Sequence, residues 1–217
     1  ERARRFATLW PQWSSGTPES GFREALLALA RDDHGAACLA LAHGSFAGAM
    51  GLARDPGAAF LWALRGARCG FAAAAAMTGD FYLHAEPEHH ACVRDVRRAL
   101  HWHEQAALAG HAGAALAASD SYRMGRGVER DFRRAAVLLG LAVALDPSPP
   151  GITRLLRPSL EADLSPGEME AVDQEVQDAL RGLPRADADL DAFWRQAHED
   201  LAGDRVALAR GAGAAGT

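Results

Sequence analysis

A pattern that returns three times limits what this chain can fold into more than any other feature. The segments AACLALAHGSF from Ala36, AAAAAMTGDFY from Ala72 and AGAALAASDSY from Ala112 superpose, each ending on an aromatic residue: Phe46, Tyr82 and Tyr122. Their spacings are 36 and 40 residues. Downstream of each comes an aspartate (Asp55, Asp95, Asp131), an alanine four residues later (Ala59, Ala99, Ala135) and a large apolar residue three further on (Trp62, Trp102, Leu138). These markers are spaced 40 and 36, so one four-residue insertion between Tyr82 and Asp95 reconciles the two sets. A period of this size is that of a helix pair repeated along the chain. Small residues let the two helices of a pair approach closely, and the large ones fill the space between neighbouring pairs. Each aspartate stands where a second helix should begin, and its oxygen can accept a backbone N–H that the helix leaves unpaired. Gly125 and Gly127 supply backbone freedom in the turn between the helices. One pair cannot bury its own apolar face, so the pairs must stack. The expectation is an all-α chain of stacked antiparallel helix pairs.

Composition supports this and narrows the partners. Hydrophobic residues make up 49% of 217 residues, which excludes disorder by composition. Ala and Gly are abundant while Ile and Thr are scarce, a bias towards helix over strand. The formal net charge is -5 and no basic face stands out, which argues against a nucleic-acid partner. No run of about 18 apolar residues suggests a membrane span. The chain starts at Glu1 and shows no signal peptide, and three cysteines leave at least one unpaired. That sparse, odd cysteine count leans towards a reducing compartment such as the cytoplasm, with the periplasm as the alternative if a leader has been removed.

The expected organisation has three parts. Residues 1–33 form an N-terminal cap with a partial repeat. There Arg2, Arg4 and Arg5 precede Phe6, Leu9, Trp10 and Trp13, and a helix from Pro18 to Asp32 places Phe22, Leu26, Leu29 and Ala30 on one face. Three repeats occupy about 34–70, 71–110 and 111–146. Asp146-Pro147-Ser148-Pro149-Pro150-Gly151 ends the series. Residues 147–217 form a helical C-terminal cap. It has a short helix over Ile152–Leu160 and a helix opened by the capping box Ser165-Pro166-Gly167-Glu168 and running to about Leu180. A last helix covers Ala188–Ala209, with Leu190, Phe193, Trp194, Ala197 and Leu201 inward, and a frayed GAGAAGT tail follows.

The run Tyr122, Gly125-Arg126-Gly127-Val128, Asp131-Phe132, Ala135-Ala136 resembles the signature of Sel1-like repeats, helical hairpins related to tetratricopeptide repeats. In the middle repeat, Asp95, Ala99, Trp102, Ala106-Ala107 and Gly110-His111-Ala112 are similar to the family's second helix and its step into the next unit. Leu164-Ser165-Pro166 with Glu168 resembles the segment that often ends such arrays. The first repeat departs from the pattern, with SFAGAMGLARDP in place of a GxGV turn. The resemblance implies a right-handed superhelical α-solenoid whose concave side holds a protein or peptide, without catalytic machinery. It implies an adaptor or scaffold. The alternatives are an immunity protein that neutralises a secreted bacterial effector, and a metal-binding regulatory protein that uses the histidine-rich loop 84–92.

No GxSxG, P-loop or dinucleotide fingerprint is present, and Gly125-Arg126-Gly127 is read as a turn, so no catalytic residue and no cofactor is assigned. The insertion His84-Ala85-Glu86-Pro87-Glu88-His89-His90-Ala91-Cys92 is rich in metal-capable side chains, but its spacing matches no standard zinc pattern and no metal is assigned. Asp187, Asp189 and Asp191 lack the glycine and distal glutamate of a calcium loop. Cys38 and Cys69 fall at the adjacent ends of one hairpin, either as a bridge or as two small thiols. The expected partner-binding residues are His43, Met77, Asp80, Asp120 and Arg123 on the concave face, with His84, His89 and His90 in the insertion. The aromatics Phe46, Tyr82 and Tyr122 are expected to pack inward.

Overall fold

In the computed structural model the described residues are 21–49, 51–85, 92–146 and 162–184, with Arg5, Phe6, Thr8, Leu9, Pro158 and Leu160 besides. Every regular element among them is a helix: α1 (Phe22–Arg31), α2 (Gly35–Ala47), α3 (Pro56–Arg68), α4 (Ala72–Leu83), α5 (Val96–Leu108), α6 (Ala112–Met124), α7 (Phe132–Leu145) and α8 (Pro166–Gly182). The chain divides into two units, Glu1–Leu183 and Pro184–Thr217. All eight helices belong to the first. The expected helices Ile152–Leu160 and Ala188–Ala209 lie largely or wholly outside the described residues.

Three hairpins stack in chain order as α2/α3, α4/α5 and α6/α7, with α1 against α2 and α8 against α7. This is an α-solenoid. Each second helix starts on its aspartate: Asp55 Oδ1 accepts from the Ala58 N–H at 2.9 Å, Asp95 Oδ1 from Arg97 and Arg98 at 3.0 Å each, and Asp131 Oδ1 from Arg134 at 2.8 Å. The same aspartates tie back to the first helix through their own N–H groups, donated to Ser45 O, Tyr82 O and Tyr122 O. Those three carbonyls are therefore equivalent. So are the residues that open the first helices, His34, Phe71 and His111. Both sets move the first repeat by one residue relative to the sequence pattern: Ser45, not Phe46, matches Tyr82 and Tyr122. An alanine-rich helix offers no side-chain landmark that distinguishes the two registers. His34 and His111 cap their helices through Nδ1, which accepts from Ala37 N–H at 3.2 Å and Ala114 N–H at 3.0 Å.

The hairpins close on small side chains. Ala59, Ala99 and Ala135 are at most 1% exposed beneath the first helices. Tyr82 is buried against Phe60 and Ala99, and Tyr122 packs on the cluster formed by α5, α6 and α7, while Phe46 is half-buried edge-on to Phe81, their centroids 5.7 Å apart. At the open end of the stack, α8 brings Val172 and Val176 onto Ala135, Ala136 and Leu139 of α7, with Leu160 beside them. Its start is a capping box. The Glu168 N–H donates to Ser165 Oγ, and the Ser165 N–H donates to Glu168 Oε2 at 2.7 Å. The Ser165 hydroxyl and this backbone N–H hold the Glu168 carboxyl below the usual range. At the other end Phe22, Leu26, Leu29 and Ala30 are the buried face of α1, and Phe6 stacks on His34 at 5.1 Å.

The caps give a direct test. Asp131→Ala should destabilise the fold by about 1 kcal/mol, while Asp131→Asn, which keeps an acceptor, should cost far less. Chemical denaturation of the two variants measures this, and equal loss in both would contradict a capping role.

Candidate partner-binding face

Positions counted from the helix-opening residues bring three predicted residues into one row. His43, Asp80 and Asp120 each lie nine residues after His34, Phe71 and His111, at the same level of α2, α4 and α6. Each belongs to a stripe at three- and four-residue steps, the spacing of one helix face. On α4 the stripe is Ala73, Met77, Asp80 and the capping residue His84. On α6 it is Gly113, Ala117, Asp120 and Met124. All eight retain solvent exposure on helices that are otherwise mostly buried. On α2 the stripe is covered at Ala36 and Ala40, half-open at His43 and exposed at Ala47. The first-helix face is therefore open across the second and third hairpins and closed over the early part of the first. His89 and His90 lie outside the described residues.

The row is polar and differently tethered in each repeat. Asp80 leaves 63% of its side chain exposed while its Oδ1 lies 3.1 Å from Nε2 of His103, a residue of α5 whose own side chain is 2% exposed. The imidazole reaches Asp80 because position 79 is glycine. A Cβ there would stand 2.4 Å from His103 Cδ2. In the third repeat the equivalent residue is Ser119, whose buried hydroxyl donates to Ala135 O at 2.7 Å. Asp120 is held by Arg123 at 2.5 Å and Arg126 at 3.1 Å. Arg123 is thus turned along α6 towards Asp120, and its Nε is buried without a hydrogen-bond partner. The Tyr122 hydroxyl donates to Glu104 Oε1 at 3.0 Å, which Arg134 also contacts at 3.2 Å. Burial, then the Glu104 charge, push the Tyr122 hydroxyl pKa up. Tyr122 faces the neighbouring hairpin, and its polar tip joins two repeats.

Sequence reasoning missed both the His103–Asp80 contact and the Glu104–Tyr122–Arg134 cluster. A signal existed for the first: eight residues after the capping aspartates stand Ala63, His103 and Leu139, and only the histidine is polar. None existed for the second, because Glu104 and Arg134 are ordinary surface charges until the hairpins stack.

The three cysteines are unbridged. Cys38 is buried, and burial, followed by the neighbouring Cys69, pushes its thiol up to about 11. Cys69 is exposed at the end of α3. Among the described residues, no group of three His, Cys, Asp or Glu could hold a metal ion, and no helix is long and apolar enough to cross a membrane. The row offers the carboxylates of Asp80 and Asp120 as acceptors, beside the half-open His43, above a floor of small and apolar side chains. Such a surface suits an extended chain with basic side chains or free backbone N–H groups.

The sequence model of the Sel1 repeat matches residues 35–71, 72–111 and 112–147, more than half of the chain. The chain belongs to the Sel1 repeat family. Proteins of this family generally act as scaffolds for protein–protein interaction. Among solved structures, this Sel1 repeat chain is similar to a Sel1 repeat protein from Oxalobacter formigenes, with a TM-score of 0.55 at 20% identity over 64% of this chain and 55% of that one. It is also similar to a protective antigen of uropathogenic Escherichia coli with an SLR fold, with a TM-score of 0.47 at 21% identity over 84% of this chain and 46% of that one. The chain spans about half the length of each. No curated protein matches it.

Two outcomes test this geometry. Gly79→Ala should cost about 1–3 kcal/mol by forcing His103 away, whereas Gly167→Ala, with nothing within 4 Å, should leave the melting temperature unchanged or raise it. Thermal melts compare them. In thiol labelling of the native protein, Cys69 should react readily and Cys38 only on unfolding. Because the folded thiol of Cys38 holds its proton to higher pH than an unfolded one, its contribution is intact below the ordinary thiol range. That contribution should fade as pH rises towards about 11. Labelling of Cys38 as fast as Cys69 would contradict its burial.

Proposed function

We propose that this protein is a non-catalytic adaptor that holds a segment of another protein along the face of its first helices, across the second and third hairpins. The observation that carries the reading is the aligned row of His43, Asp80 and Asp120 with the open stripes around Met77, His84 and Ala117. These are solvent-reachable positions on helices whose other faces are buried, and they fall at one level in successive repeats. A rigid stack presents them without reorganisation, so little ordering entropy opposes binding. Arg123 contributes by fixing the Asp120 carboxylate. The partner expected from this chemistry is a peptide segment that supplies donors to Asp80 and Asp120 and an apolar side chain to Met77.

The experiment is site-specific photo-crosslinking. A photoreactive residue at Met77 or Ala117 should trap one discrete polypeptide in cell extract, while the same residue at Leu61 or Gln105, exposed on second helices, should not. Asp120→Arg should lower the yield from Met77 about tenfold, as expected when a charged contact at an interface centre is reversed. Equal trapping from both faces, or an unchanged yield with Asp120→Arg at unchanged stability, sinks the reading.

A further inference from the structure

The edge of the stack where each first helix hands over to its second carries a charge pattern that this reading does not use. Arg54, Arg94 and Arg130 each stand immediately before a capping aspartate. The structure puts them in equivalent places, at the C-terminal ends of α2, α4 and α6. A Cβ on Gly48, which ends α2, would lie 3.2 Å from Arg54 Cβ, and one on Gly125, which ends α6, would lie 3.0 Å from Arg130 Cγ. Arg94 Nε donates to Leu83 O at 3.1 Å. All three are exposed, and none forms an ion pair with a described residue. Across segments 51–55, 92–98 and 124–134 there are eight arginines and four carboxylates, in a chain whose net charge is -5. Three of those carboxylates are the capping aspartates, already accepting helix N–H groups. A cation at a helix C-terminus is favourable by itself. Yet Arg54 and Arg130 donate no side-chain hydrogen bond to a described residue, so their guanidinium groups can turn their donors to a ligand.

We propose that this arginine row is a second docking edge, one that takes an extended acidic protein segment whose carboxylates pair with Arg54, Arg94 and Arg130 in turn. The arginines recur once per hairpin along one edge, and an extended chain advances about 3.3 Å per residue, so acidic residues spaced along such a segment can meet them in turn. Planar guanidinium groups suit carboxylates, which they can grip with two parallel bonds. A nucleic acid fits less well. The chain is acidic overall, and the single aromatic side chain in those segments, Phe132, packs against the α7–α8 cluster rather than offering a surface on which bases could stack. The proposal is independent of the first-helix face.

The test uses the full chain and a fluorescent peptide of about twelve residues, long enough to span the row at about 3.3 Å per residue, with Glu at every third position. A counterpart with Gln at those positions is the control. The Glu peptide should bind, the Gln peptide should not, and added salt should weaken binding. Replacing all three arginines (Arg54→Gln, Arg94→Gln, Arg130→Gln) should raise Kd about tenfold, the sum of three modest exposed pairs. The corresponding Lys triple, which keeps the charge but not the two-bond grip, should bind more weakly than the native chain and more tightly than the Gln triple, and Asp120→Arg should not weaken binding. Equal binding of the Glu and Gln peptides overturns the proposal without relying on any variant. So does an unchanged Kd in the Gln triple, or a single-stranded oligonucleotide that binds more tightly than the Glu peptide.

Discussion

The close approach of the two helices in each hairpin is the constraint on which the rest depends. Ala59, Ala99 and Ala135 sit beneath alanine-rich first helices with essentially no solvent exposure. Side chains of one carbon set a short interhelical distance and fix which residues can lie between hairpins. A single alanine contributes little burial, so stability is spread along the stack, and larger groups concentrate at the joints: Phe60 with Tyr82, Leu138 and Leu141 with Tyr122, Val172 and Val176 with α7. The aspartate caps complete the unit. They fix where each second helix starts and, through their N–H groups, tie turns of different length back to the same level of the first helix.

Variation between repeats is tolerated where it does not disturb that approach. The glycine at position 79 makes room for a buried imidazole, while Ser119 at the same position spans to Ala135 with its hydroxyl. Both solutions satisfy a polar group inside the hairpin, which would otherwise cost stability. The first repeat has Ala42 there and Ala63 opposite, and it needs neither. The scaffold is common to the three units, and their polar rows differ. On the proposed reading, a different row in each unit would let one rigid face discriminate among partner segments.

Two surfaces emerge with opposite character. The first-helix face carries carboxylates and an imidazole at one level of successive helices. The turn edge carries arginines at one register. They lie at different positions on the same hairpins, and neither requires movement of the helices.

The sequence by itself determined the helix pairs, the caps and the family, because hydrophobic period, aspartate position and turn glycines act within a few residues of one another. Asp131, Ala135 and the Ser165–Glu168 box were legible for that reason. That Met77, Asp80 and Asp120 would stand on an exposed face of the first helices was also legible, since a stripe at three- and four-residue steps follows from helix geometry. Three things were decided only in the tertiary structure. The one-residue register of α2 depends on which carbonyl the Asp55 N–H finds. The contact of His103 with Asp80 depends on how near α5 comes to α4. The cluster of Glu104, Tyr122 and Arg134 joins residues up to 30 positions apart. Each of these interactions bridges elements that sequence spacing cannot orient, and each forms only when the hairpins close and stack.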